Sequence, residues 1–153
     1  MKKKHLLAGL FAAFTIGLLS YLTETTHHLL LIAPFGATSC IIFGLPEVHA
    51  ARVRNIVFGY LICTALGFLA LAAPINMTSL ALGCAIGASI ILMLTFDVVH
   101  PPAAGIPILL MSTQYDILFF FFPLTIGIGI LLVSQFVFNK LASHSLSTSS
   151  SES

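Results

Sequence analysis

The stretch TFDVVHPPAAGIPILL, residues 95–110, gathers an aspartate, a histidine and three prolines into a chain that otherwise avoids charge. Of the 153 residues, 58% are hydrophobic and only 7% are charged, against about 25% charged in an ordinary soluble domain. Proline in the first turn of a helix is harmless, because its missing N–H would have no intrahelical partner there, whereas in mid-helix it costs ~3 kcal/mol. Pro101 and Pro102 therefore start a helix, and Asp97 to His100 form the break before it. What flanks this break sets the fold class.

Upstream, no Asp, Glu, Lys or Arg occurs from Asn55 to Phe96. That run is about twice the roughly 20 apolar residues one membrane-spanning helix requires, so it must fold back on itself. Across the chain, apolar segments fall at about Leu6–Leu22, Leu29–Leu45, Asn55–Ala73, Ser79–Phe96, Pro102–Ser112 and Ile117–Phe138. Four are long enough to span a bilayer. The second is interrupted by Pro34 and Gly36, which leaves an extended lead-in and a helix from about Phe35 to Leu45, and the fifth is short. The expected fold is an all-α integral membrane protein, with four long transmembrane helices and two short proline-interrupted ones in a single polytopic domain over residues 1–141. Residues 142–153 are mostly Ser and Thr, which bury too little apolar area to offset the ordering entropy, and are expected to be a disordered tail. The basic start followed by Leu6–Leu22 resembles a signal peptide, but the run is long and Thr23–Thr26 offers no A-x-A site, so a retained first helix is expected.

Lys and Arg stay on the cytoplasmic side in short loops. If every segment crosses, Lys2 to Lys4, the Arg52 and Arg54 loop and Lys140 share one side. Both termini are then expected in the cytoplasm. The order long, short, long, repeated once, points to a 3+3 inverted repeat. Glu24-Thr25-Thr26-His27 and Asp97-Val98-Val99-His100 share an acid-x-x-His pattern, and Pro34 and Pro107 follow at the same offset.

Small residues recur every fourth position at Gly9, Ala13, Gly17, at Gly59, Cys63, Gly67 and at Ser79, Gly83, Gly87. Membrane helices use such rows to bring backbones close, and helix packing is the expected role. Cys40, Cys63 and Cys84 show no metal spacing and read as packing residues without a disulfide. The two broken segments, Pro34, Phe35, Gly36, Ala37, Thr38, Ser39 and His100, Pro101, Pro102, Ala103, carry the chemistry. A helix that begins inside the membrane leaves N–H groups that, with the macrodipole, favour an anion. A small-anion site shared by the two starts is expected, with His100 and Arg54 as neighbours and Asn55 beside Arg54. Asp97 is placed to pair with His100. The alternative is that side chains satisfy the helix ends and the prolines only shape packing. No nucleophile, cofactor or metal pattern is visible, so no enzyme, cofactor or metal site is expected, and a net charge of +1 gives no sign of nucleic-acid binding.

His100-Pro101-Pro102, together with APFGATSCIIFGLPE (33–47) and RNIVFGYLICTALG (54–67), resembles the HPP family of small integral membrane proteins. The likeness covers residues from about 6 to 138. Plant plastid and cyanobacterial members have been linked to nitrite transport, so the resemblance implies a transporter or channel for a small monovalent anion, with nitrite favoured. By motif, Pro34, Phe35, Gly36, Ala37, Arg54, Asn55, Gly59, His100, Pro101, Pro102 and Ala103 match. Two positions depart: relatives often carry Gly-His where this chain has Gly59-Tyr60, and a glycine directly after His-Pro-Pro-Ala where it has Ala104 before Gly105. The competing class is a membrane scaffold or assembly subunit. So short a chain has little room to enclose a path alone, and a homo-oligomer, a dimer first, is expected in a bacterial cytoplasmic membrane.

Overall fold

A computed structural model of the protein describes residues 3–26, 29–73, 78–113, 118 and 120–149. Within them the chain is helical, with no strand. In lipid every backbone polar group must be satisfied within the protein, and a helix does this locally. Four helices are long and apolar enough to cross a membrane: α1 (Lys3–Thr26), α3 (Val53–Ala72), α4 (Thr78–Thr95) and α6 (Thr125–Ser149). The short α2 (Ala33–Ser39) runs on through a π-helical turn at Cys40–Gly44, and the short α5 (Ile106–Thr113) follows a 3₁₀ turn at Pro101–Gly105. A second π-helical turn, Phe120–Leu124, carries Pro123 and leads into α6.

The two short helices form where proline chemistry places them. Pro34 occupies the first turn of α2 behind an extended Ile32, so it forfeits no helical bond. The lead-in before α2 is held by Thr23 of α1, whose hydroxyl oxygen accepts from the N–H groups of Leu30 and Leu31 at 3.0 Å each and donates to the Leu19 carbonyl at 2.8 Å. α4 ends at Asp97, a non-glycine residue with φ of 53°. There the Val98 N–H bonds the Met93 carbonyl at 2.9 Å and the Asp97 N–H bonds that of Leu94 at 3.2 Å, the paired bonds of a left-handed C-cap. Asp tolerates that conformation better than most side chains.

The six helices alternate in direction. Lys4 at the start of α1 pairs with Glu47 beyond α2, Arg54 at the start of α3 bonds the Phe96 carbonyl at the end of α4, and Phe11 of α1 meets Phe138 of α6 edge to face. Both ends of the chain's helical body thus lie at one end of the bundle, along with the loop that carries Arg52 and Arg54. α6 extends past Ala142 into the Ser/Thr-rich stretch expected to be disordered, and residues 150–153 lie outside the described ones. His27, half of the acid-x-x-His comparison, also lies outside the described residues.

The core joins all of these elements: Leu19, Phe35, Phe43, Ile56, Tyr60, Met93, Ile106, Leu110, Leu131 and Phe138 are buried in one cluster. Only one of the three small-residue rows packs inside the chain. A Cβ on Gly59 would come within 2.9 Å of His100, and one on Gly67 within 3.2 Å of the Pro107 backbone, whereas Gly9, Gly17, Gly83 and Gly87 have nothing within 4 Å. Among the described residues the glycines on α1 and α4 therefore make no close contact within this chain.

Candidate functional site

Beside the Gly59 notch, α2, the turn before α5 and the middle of α3 meet. Thr38 projects from α2, Tyr60 from α3 and His100 from the break after α4, and all three are fully buried. Thr38 Oγ1 lies 2.8 Å from Tyr60 Oη and 2.9 Å from His100 Nε2, while His100 Nδ1 lies 2.8 Å from the Ala50 carbonyl oxygen. A carbonyl can only accept, so Nδ1 carries the proton and Nε2 of the neutral ring is the acceptor. Thr38 must then donate to Nε2, and Tyr60 must donate to Thr38. The whole chain of bonds has one direction, from Tyr60 O–H through Thr38 O–H to His100, and on through Nδ1–H to Ala50.

The surroundings keep this chain neutral. Phe35 packs edge to face on Tyr60 with ring centroids 5.8 Å apart, and the Tyr60 and His100 rings are 5.5 Å apart. His100 lies in the connection between α4 and α5, outside the four spanning helices. Burial pushes its pKa below the usual imidazole value, opposed by its bond to the Ala50 carbonyl. Among the described residues, no formally charged side chain hydrogen-bonds to any of the three. Thr64, one turn beyond Tyr60 on α3, is 2% exposed, and its hydroxyl has no partner among the described residues. Tyr60 also borders a cleft of about 300 Å³ between α3 and α6, walled by Val57, Leu61, Leu124 and Ile128.

The expected site residues separate into two groups. Pro34, Phe35, Thr38, Ser39, His100 and Ala103 are buried where α2 meets the turn before α5. Gly36, Ala37 and Pro101 are exposed, and Pro102 is half-buried. Ser39 bonds its own segment, at the Gly36 carbonyl 2.8 Å away. Arg54 does not join His100: it is exposed and reaches the Phe96 carbonyl at 2.9 Å. Asn55 is the nearer neighbour, its amide donating to the Val99 carbonyl and to His49 Nδ1 at 3.1 Å each. Asp97, turned by its left-handed cap, faces His49 across 3.6 Å and not His100.

The helix starts also offer fewer donors than expected. Pro34, Pro101 and Pro102 have no N–H, the Phe35 N–H is used by the Ile32 carbonyl at 3.0 Å, and the Ala103 N–H by the His100 carbonyl at 3.1 Å. The prolines that start the helices delete the very donors an anion would need. Tyr60 was visible in the sequence only as a departure from the family pattern, and nothing in its spacing announced Thr38 as its partner. Among the described residues no cluster of three His, Cys, Asp or Glu side chains is placed to hold a metal ion.

Two proteins of Dictyostelium discoideum, each described as a transmembrane protein, are similar to this chain. One is 29% identical over 119 residues, 73% of this chain and 42% of the relative, and the other 25% identical over 144 residues, 89% and 46%. The chain therefore spans less than half the length of these curated relatives. No solved structure matches it significantly. The model of the HPP transmembrane region matches residues 2–147, which takes in all four long helices, the Pro34 segment and the His100-Pro101-Pro102 break. By that match the chain belongs to the HPP family of integral membrane proteins.

Proposed function

We propose that the protein moves a small monovalent anion across its membrane, with nitrite the favoured candidate. The observation that carries this reading is the buried Tyr60–Thr38–His100 chain, set where two broken helices meet in a predominantly apolar interior. A break in helical backbone and a buried histidine packed among membrane-spanning helices are costly and are characteristic of solute pathways. Arg54, exposed at the same end of the bundle as Lys4 and Arg52, draws anions toward that end without touching His100. The helix starts hold the three side chains in place and are not themselves the anion's donors. In this reading the basic end faces the cytoplasm of a bacterial cell. The uncovered glycine rows of α1 and α4 are where a second copy packs.

Liposomes loaded with nitrite test it: protein must speed the loss of a nitrite gradient over protein-free vesicles, and His100→Asn must slow that loss while the protein stays folded. A second reading, a non-transporting scaffold or assembly subunit, is favoured by one specific fact. Both ring nitrogens of His100 already have partners. Vesicles with no protein-dependent flux of nitrite, nitrate or formate select that reading.

A further inference from the structure

The hydrogen-bond chain has a property that its individual bonds do not. Nε2 of His100 is its only basic position, and the Thr38 hydroxyl occupies it. Placing a proton on Nε2 turns that nitrogen into a donor, so Thr38 must accept from it, and only one of the two hydroxyls, Thr38 or Tyr60, can then donate along their shared contact. With the Thr38 O–H turned toward Tyr60 Oη, it is Tyr60 that loses the acceptor for its own O–H. A buried donor without a partner costs about 1–3 kcal/mol, so the protonated state is completed only when something accepts from Tyr60. It also carries a buried positive charge, which is costly unless paired.

We propose that protonation of His100 at Nε2 reverses this chain and creates, at Tyr60 Oη, a binding site for a small monovalent oxyanion of the nitrite type. The inference rests on the transport reading and adds the proton as a second, coupled solute. One acceptor from Tyr60 O–H and one negative charge near the imidazolium are what the protonated state lacks, and a small oxyanion supplies both. Thr64 O–H, buried and unpartnered one turn along the same face of α3, is the second donor. Tyr60 also lines the cleft between α3 and α6.

No covalent bond in the anion changes. The proton comes from solution, resides on Nε2 while the anion is held, and leaves with it, so one proton and one anion move without net charge. The groups around His100 leave the task to His100 alone. α3 contributes Tyr60, with Cys63 next on its buried face, α4 contributes Met93, and α2 and the turn before α5 contribute no ionisable side chain. His49 and Asp97 engage each other in the exposed connections nearby.

The test uses the purified full-length protein in detergent, with sodium nitrite as the probe, in weakly buffered solution near pH 6.5. Nitrite binding is expected to take up about one proton per anion, and its affinity to fall roughly tenfold for each pH unit above the folded-state titration. Tyr60→Phe, which keeps the ring against Phe35, is expected to abolish both binding and uptake, while Thr38→Ser retains them. Thr64→Val separates site from scaffold: replacing an idle buried hydroxyl by a methyl only stabilises the fold, whereas here it must also weaken nitrite binding. Where Tyr60→Phe does not fold, Thr38→Val breaks the same chain and is expected to give the same loss. Nitrite binding without proton uptake, or with uptake unchanged in Tyr60→Phe, overturns the inference and leaves the transport reading standing. Absence of both nitrite binding and nitrite flux overturns the two together.

Discussion

Gly59 and His100 meet so closely that a methyl group on Gly59 would stand 2.9 Å from the His100 Cβ, with the Met93 sulfur and the Val98 carbonyl oxygen each 3.5 Å away. Backbone lies on one side and a doubly anchored ring on the other, so nothing there yields cheaply. Gly59→Ala is expected to destabilise the protein by about 1–3 kcal/mol. Gly83→Ala, with open space around it, is expected to be neutral or slightly stabilising. Thermal unfolding of both variants in one detergent checks the contrast.

A second notch lies on α6, where a Cβ on Gly127 would run into the ring of Phe35. Gly127→Ala is therefore expected to destabilise, and Phe35→Leu to relieve part of the clash. The double variant should be more stable than the sum of the single changes implies, by a coupling of about 0.5–3 kcal/mol. Additive effects would show that the two residues do not meet.

Thr38→Val preserves shape and removes the hydroxyl that joins Tyr60 to His100. Two buried polar groups then lack partners, at about 1–3 kcal/mol each. Adding Tyr60→Phe removes one of those orphans, so the double variant is expected to be no less stable than Thr38→Val alone. Denaturation midpoints decide it, provided the slopes stay equal.

These residues also show how far the sequence could be read. The helix start at Pro34 and the break at His100 were legible because proline removes an N–H wherever it sits, whatever surrounds it. The row Gly59, Cys63, Gly67 was legible as a packing face and packs within the chain, whereas the same spacing on α1 and α4 faces open space in the single chain, since spacing alone does not say which neighbour a row meets. The partners of His100 were not legible. Asp97 is three residues away and looked like the natural one, yet its left-handed φ turns the carboxylate toward His49. Thr38 and the Ala50 carbonyl come from remote parts of the chain, and only the packing of α2 against the turn before α5, and of the His49–Ala51 turn against α3, brings them in.

The buried imidazole gives stability a pH dependence. Its folded-state pKa lies below the ordinary value of 6.5, so the unfolded chain binds the proton more readily. The stabilisation is fully present above about pH 6.5 and is lost as pH falls through the lowered folded value. Unfolding temperature in nitrite-free buffer is expected to drop as pH falls below 6.5, and the drop is expected to shrink in His100→Asn. An equal drop in that variant would assign the effect to other groups.

Lys4 and Glu47 pair at one end of the bundle, and α3 ends at Ala72 toward the other. Single cysteines introduced at Glu47 and Ser143, in a background lacking the native three, are expected to react with an impermeant maleimide from the same side. A cysteine at Ala73 is expected to react from the opposite side. Labelling of positions 47 and 143 from different sides would refute the alternating arrangement.

Two of the glycine notches receive guests from opposite directions along the chain. Pro107 and Leu110 of α5 settle against Gly67 of α3, which has already been made when they emerge, but Phe35 of α2 fits against Gly127 of α6, which is synthesised near the end. Tyr60 of α3 supplies one wall of the seat for Phe35 early, and the other wall arrives only with the last helix. A chain that stops before Gly127 leaves Phe35 held on one side alone.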